Sequence, residues 1–373
     1  MVIDEEILET LRCPAAGVPL AVMTGAALET LNRTIAQGRA VQGNGSPVTD
    51  PLTAGLASTD GSSVYRIDEG TPILLPELRI TASPTRPAGA TEDPSAASEG
   101  IARVWEGWAE RWTRLQPPAR PAPEDVELFE SLVAEPCAAA GSAAPRALLL
   151  GVTPEVATMR WPARTRLLAL DVSAAMIRQV WPRERARNAT VARANWRTMP
   201  VADAAYDVVV GDGVLLWQSY PDGMRSLAAE ARRVLKRSGA LVMRLFVKPE
   251  RTETLEAVFD DLRRSLIPNS AALHLRLGMA IHRDVRTGIR LGDVWDAWHA
   301  NVPDEEGLLS SLGWPPAMIG TFEVYRGNEY RLAYPTVAEL ADLFAGSLRL
   351  TECRVPAYDR LGMAPTAVFR PSS

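Results

Sequence analysis

Through residues 140–250 short apolar runs alternate with amphipathic stretches. Residues 147–150 are wholly apolar, 166–170 form a second run that ends at Asp171, a weaker run lies near 190–192, and 206–210 is strongly β-forming. Residues 223–237 then place Met224, Leu227, Ala231, Val234 and Leu235 on one face of a helix. Gly239 stands where a helix C-cap is expected, and 240–247 predict a further strand. Apolar strands spaced by amphipathic helices are βαβ units, which build a parallel sheet covered on both faces. Residues from 248 to about Met318 read as mostly helical. Beyond them, 322–326 and 331–334 predict a hairpin, and 336–344 a helix opened by a capping box of Thr336 and Glu339. Residues 348–355 and 367–370 are two strands with no helix between them, so an antiparallel pair closes an otherwise parallel sheet. A dinucleotide-binding domain normally ends on parallel strands instead.

Residues 1–80 predict a separate small α+β domain, with a short helix over 4–11 and strands over 64–67 and 72–75. Residues 81–100 are poor in large apolar side chains and rich in Pro, Ala, Ser and Gly, a linker composition. A helix begins near Ile101 and carries Trp105, Trp108 and Trp112 on one face. A proline-rich break over 117–123 precedes a helix over 124–134 that ends at Pro136. The expected larger domain is therefore 101–373, with a mostly helical insert over 250–335 before its last two strands.

At 47% hydrophobic and 23% charged residues the 373-residue chain has the composition of a soluble globular protein. Its net charge of -5 supplies no global positive field, so nucleic acid is not an expected partner. Cys13, Cys137 and Cys353 form no CxxC pair, and His274, His282 and His299 lack ligand spacing, so no metal site is expected. Scattered cysteines suit a reducing cytoplasm, and no apolar run approaches the roughly 18 residues of a membrane span. The three histidines read as ordinary residues. Arg276, Arg283, Arg286 and Arg290 read as a solvated basic face or as holders of an anionic substrate.

The candidate chemistry lies in RALLLGVTPEV, LLALDVS and RANWRTMPVADAAYDVVVGDGVLLW. Gly151 follows the first strand, and Thr153 with Pro154 is a helix start of capping hydroxyl and N1 proline. Asp171 ends the second strand, where an acceptor-only carboxylate can take two hydroxyl hydrogens. Asn195 offers an amide that both donates and accepts, and Gly211, Asp212 and Gly213 close the fourth strand.

In order and spacing these motifs, with LAAEARRVLKRSGALVMRLF after them, resemble the class I S-adenosylmethionine-dependent methyltransferases over roughly residues 101–370. The resemblance implies a Rossmann-like, seven-stranded, mostly parallel sheet whose last strand is antiparallel. It also implies S-adenosylmethionine as cofactor, held by Leu150, Gly151, Thr153, Glu155, Asp171, Val172, Asn195, Trp196, Gly211 and Asp212. Asp171 would then meet the ribose, Asn195 the adenine, and Trp196 would stack beside the base. Asp212 would face the reaction centre as the residue able to act as a base or to orient a nucleophile. The pattern departs from the family at Leu149, where an acidic residue is usual, and at Thr153 and Glu155, where glycines are usual. VWEGWAERW resembles the aromatic segment that many such enzymes fold over the cofactor, and equally suits a core-facing stripe.

In ILETLRCPAAGVPL and VYRIDEGTPILLP, residues 5–78 resemble the small zinc-ribbon-like domain that activates certain methyltransferases. Cys13 is present but Ala16 stands at its partner position, which implies that fold kept without its metal. Methyl transfer to a small molecule or a peptide is the function implied, with the 250–335 segment shaping the acceptor pocket. A methyltransferase-like protein that binds the cofactor or a partner without catalysis is the alternative. A nicotinamide-dependent oxidoreductase is disfavoured, since no GxGxxG follows the first strand.

Overall fold

The computed structural model describes residues 3–81, 96–141, 143–186, 189–320 and 322–372. In chain order the N-terminal elements are α1 (Glu5–Leu8), β1 (Leu20–Val22), α2 (Gly25–Ala36), β2 (Val41–Gln42), β3 (Gly55–Ser58), β4 (Val64–Asp68), β5 (Thr71–Pro72) and β6 (Ile80–Thr81). Then follow α3 (Ala96–Arg111), α4 (Pro123–Ala138), β7 (Arg146–Leu150), α5 (Pro154–Ala157), β8 (Arg166–Asp171), α6 (Ala174–Gln179), β9 (Ala189–Arg193), β10 (Tyr206–Asp212), α7 (Asp222–Val234) and β11 (Leu235–Arg244). The chain continues through α8 (Leu255–Arg263), α9 (Ser270–Ile281), β12 (Ile289–Arg290), α10 (Leu291–Asn301), α11 (Glu305–Leu312), α12 (Pro316–Ile319), β13 (Arg331–Leu332), α13 (Val337–Phe344), β14 (Leu348–Arg354) and β15 (Thr366–Pro371).

The larger sheet has seven strands in the order β14-β15-β11-β10-β7-β8-β9. β7 pairs with β8 and β8 with β9 in parallel, and β14 pairs with β15 antiparallel. Burial follows position. Four of the five residues of β7 and six of the seven of β10 are buried, as strands covered on both faces require. In β14, at one end of the order, buried Leu348 and half-buried Leu350 and Glu352 alternate with exposed residues.

Several expectations change at their ends. Residues 124–134 belong to a helix that runs through Pro136 to Ala138, so the proline, although it offers no N–H to the carbonyl four residues before it, does not end the helix. Gly239 lies inside β11, which starts directly after α7, and so does not cap a helix. A Cβ at Gly239 would stand 2.9 Å from the Asp207 carbonyl, so close packing of backbone explains the glycine. The predicted hairpin of 322–326 with 331–334 does not form: Phe322–Tyr325 is a 3₁₀ turn, and β13 pairs with β12. The strand expected over 72–75 is confined to Thr71–Pro72. Thr81 ends β6 and α3 opens at Ala96, so 82–95 of the expected linker lie outside the described residues.

By contacts the chain divides into two compact units. The first comprises Met1–Asp93, Val133–Val210 and Glu230–Leu241. Within it the N-terminal elements form their own six-stranded sheet, and they also join β8 and β9. Ile73 bridges Arg193 in parallel, the Leu74 N–H donates to the Arg193 carbonyl at 2.8 Å, and Thr10 and Tyr206 share a buried hydroxyl contact at 2.9 Å. Buried Asp207 accepts from the Arg146 N–H at 2.9 Å and from Lys236 Nζ at 2.8 Å, tying the starts of β7 and β11 to β10. The second unit comprises Pro94–Leu132, Gly211–Ala229 and Val242–Ser373. Its core gathers Phe259, Leu273, Leu277, Trp298 and Tyr334 from the helical segment after β11. No helix among the described residues is long and apolar enough to cross a membrane.

Candidate functional site

In the first unit the ends of β7 and β8 converge on one carbonyl. The Gly151 N–H donates to Leu170 O at 2.7 Å, and the Trp196 indole N–H donates to the same oxygen at 2.6 Å. Gly151 has φ +101°, a conformation reserved for glycine, and a Cβ there would meet the Trp196 ring at 3.9 Å. Trp196 thus covers Gly151 and is pinned to the strand that carries Asp171. Leu150 is buried in β7.

Asp171 is buried at the end of β8, and its carboxylate accepts from the Ser173 N–H at 2.8 Å. Burial pushes its carboxyl up to about 7, opposed by the Ser173 N–H and the Arg193 charge. The next residue, Val172, is 45% exposed, an apolar surface beside a buried carboxylate. Asn195 is half-buried, and its side-chain oxygen accepts from the Arg197 N–H at 2.9 Å. Thr153 is the N-cap residue of α5 and Pro154 its first helical residue, but at φ -53° and ψ 111° the Thr153 hydroxyl makes no capping bond. Glu155 is half-buried in the single turn of α5.

Gly211 and Asp212 fall in the second unit. A Cβ at Gly211 would come within 3.0 Å of Val214 and 3.2 Å of Met243, so the strand end is packed to backbone. Asp212 accepts from Arg244 Nε at 2.6 Å. Arg244 is wholly buried and also faces Asp125, at 3.5 Å, whose carboxylate accepts from the Ala122 N–H at 2.8 Å and the Tyr358 hydroxyl at 2.7 Å. Burial raises the Asp125 carboxyl and outweighs the lowering by Arg244. The Asp212 carboxyl is therefore held in one orientation by a charge-assisted hydrogen bond from a buried guanidinium. The sequence reading passed over this cluster. Its available signal was an arginine in the middle of the apolar run ALVMRLF, where a buried charge demands a counterion.

Phe246 links this cluster to a cavity of about 360 Å³ in the same unit. The Arg244 guanidinium lies 5.2 Å from the Phe246 ring centre, and a Cβ at Gly213 would strike that ring at 2.7 Å. The cavity walls come from the end of α3, from Leu216 and Trp217, and from the helical segment between β11 and α13. Trp108 lines it, and Trp105 and Trp108 pack on Trp217 at 4.7 and 5.3 Å. Trp112 is buried. His274 is half-buried at the wall, and its apolar surroundings push the imidazole down to about 3. Of the four arginines expected on a basic face, Arg276 is buried against Glu253 and Asp261, and Arg290 is paired with Asp293 and Glu329. Neither is available to an anionic substrate; Arg283 and Arg286 are exposed.

Residues 150–243 match the family model described as a methyltransferase domain. No curated protein matches significantly. Among solved structures, one from Rhodobacter sphaeroides described as a zinc-dependent alcohol dehydrogenase is 13% identical, covers 74% of this chain and 98% of its own, and has a TM-score of 0.46. The CcbJ methyltransferase from Streptomyces caelestis is 16% identical, with 71% and 96% covered and a TM-score of 0.42. The N-methyltransferase NodS from Bradyrhizobium japonicum, solved with S-adenosyl-L-homocysteine, is 12% identical, with 73% and 100% covered and a TM-score of 0.40. None of these superpositions is close enough to carry function across. The segment from the end of β7 to the end of β11, which includes Gly151, Asp171, Asn195 and Asp212, is a methyltransferase-like domain within an α/β fold built on a large mixed sheet.

Proposed function

We propose that this chain transfers a methyl group from S-adenosylmethionine to an acceptor that is a small molecule or a peptide. The carrying observation is Asp171, a buried carboxylate at the end of β8, one strand from the glycine-only turn at Gly151, inside the segment that matches the methyltransferase family model. The strand order β14-β15-β11-β10-β7-β8-β9, with its antiparallel terminal pair, supports a class I, Rossmann-like methyltransferase sheet. S-adenosylmethionine supplies, when bound, an activated methyl on a sulfonium.

The residues present fit that group. The Asp171 carboxylate, raised by burial, gains from hydroxyl donors such as those of a ribose. Exposed Val172 offers an apolar face to a base, and the Asn195 NH₂ a donor to its edge. The bare backbone of Gly151 admits close approach. Trp196, its indole N–H on Leu170 O, lies beside that backbone as the ring that would stand next to the base. Glu155 is the carboxylate nearest in sequence that suits an ammonium. In the second unit Arg244 fixes the Asp212 carboxylate, which orients an acceptor N–H or O–H. The work left to the protein is chiefly positioning and exclusion of water. The cavity beside Phe246 is the acceptor pocket in this scheme, with much of its wall from the 250–335 segment. Residues 5–78, with Cys13 buried against Tyr65 at 3.4 Å, serve as a metal-free relative of the zinc-ribbon-like activator domain.

Isothermal titration with S-adenosylmethionine and S-adenosylhomocysteine tests the cofactor assignment. Micromolar binding to the wild type, weakened by about tenfold or more in Asp171→Ala, is expected from loss of hydrogen bonds to a charged group. Absence of binding to both ligands would refute it.

A further inference from the structure

The cavity beside Phe246 has an unusual balance of polarity. Its body is aromatic and aliphatic, with Trp108, Trp217, Phe246, Tyr325 and Tyr334 among its walls. Among the described residues no acidic one lines it, and its charged lining residues are Arg111 and Arg114, both at or just past the end of α3. Arg111 donates one N–H to the Gly107 carbonyl at 3.4 Å, and neither arginine forms an ion pair among the described residues. Arg111 is half-buried and Arg114 exposed at the cavity rim, whereas the buried Arg244 and Arg276 each face two carboxylates. His274, neutral at physiological pH because of its apolar setting, adds no charge of either sign. Two cations without counterions beside an aromatic cavity therefore leave a net positive pole on an apolar box. Guanidinium groups recognise carboxylate, sulfonate and phosphate oxygens with paired N–H donors. The volume, about 360 Å³, is that of a small-ligand pocket.

We infer that this cavity binds a small aromatic acid, its planar body between the aromatic walls and its anionic group on Arg111 and Arg114. Binding stands on the cavity alone; that the aromatic acid is the methyl acceptor rests on the methyl-transfer reading. The side-chain types set the specificity: neutral aromatics lose the guanidinium contacts, and polar anions such as sugar phosphates leave the walls unfilled.

Two naphthalene dyes that differ in charge test it on the full-length protein. 1-Anilinonaphthalene-8-sulfonate carries the anion, and N-phenyl-1-naphthylamine lacks it. Binding is read by energy transfer from tryptophan to the dye. The anionic dye is expected to bind at one saturable site, at least about tenfold tighter than the neutral dye. Arg111→Met combined with Arg114→Met should abolish that preference while the neutral dye still binds, a readout that also certifies folding. Ala271→Trp, which fills the cavity from α9, should block both dyes. Equal affinity of the two dyes for the wild type, or undiminished binding to Ala271→Trp, would overturn the inference. Titration of the same variants with S-adenosylhomocysteine separates the two claims. Dye binding without nucleoside binding keeps the cavity and removes the acceptor role, whereas nucleoside binding without dye preference removes the cavity assignment.

Discussion

Replacing Arg244 with methionine keeps an unbranched side chain in β11 and removes the cation that Asp212 and Asp125 both face, at 2.6 and 3.5 Å. All three side chains are buried, so neither carboxylate can recover its hydration. Breaking a buried pair by removing one partner costs about 3–5 kcal/mol. Part of that loss is offset on one side. Asp125 keeps the Ala122 N–H and the Tyr358 hydroxyl, and its carboxyl is already raised by burial, so it can shed its charge. The pH dependence follows from that direction. A carboxyl raised above its unfolded value of about 3.9 is tolerated when protonated, and its contribution is lost as pH rises through the folded value. Without Arg244 the influence that lowers the Asp125 carboxyl is gone, so the deficit of the variant should be smaller near pH 5 than at pH 8. Urea unfolding followed by tryptophan fluorescence at both pH values measures it, with Arg244→Lys as a charge-retaining control. A deficit below about 1 kcal/mol at pH 8, the scale of an exposed pair, would refute the coupling. So would a deficit that does not change with pH.

Since the Asp171 carboxyl is raised to about 7 and ribose hydroxyls require the anion, affinity for S-adenosylhomocysteine should rise about tenfold from pH 6 to pH 8. Titration calorimetry at the two pH values checks this, and Asp171→Asn should show a flat profile. Gly151→Ala places an L side chain at φ +101° and should cost about 1–3 kcal/mol in denaturant unfolding, with weaker nucleoside binding; unchanged stability would mean the turn relaxes freely. Thr336→Ala removes the cap that accepts from the Glu339 N–H at 3.2 Å and should cost about 1 kcal/mol, with Thr336→Ser recovering most of it.

Much of the architecture was legible because it depends on local pattern. The apolar runs ending at Leu150, Asp171 and Asp212 are buried strands because a sheet covered on both faces leaves no polar positions to interrupt them. The Thr336 and Glu339 capping box and the unconnected pair β14 and β15 followed from spacing in the same way. Gly151 and Asp171 were readable as a pair since a turn and an acid at successive strand ends leave a sequence signature.

Other features were decided by residues far apart in the chain. Gly239 reads as a cap until the Asp207 carbonyl is found against it. Nothing local to Trp196 announces the partner of its N–H, which is the Leu170 carbonyl. Asp212 reads as a lone acid until Arg244 is brought to it and, through Arg244, Asp125 of α4, which lies 119 residues from that arginine in the chain. Local propensity carries no information about which distant group will satisfy a buried charge or fill the space beside a glycine. Those partners are selected by packing and by the cost of leaving a polar group without water, and both are set when the chain is folded.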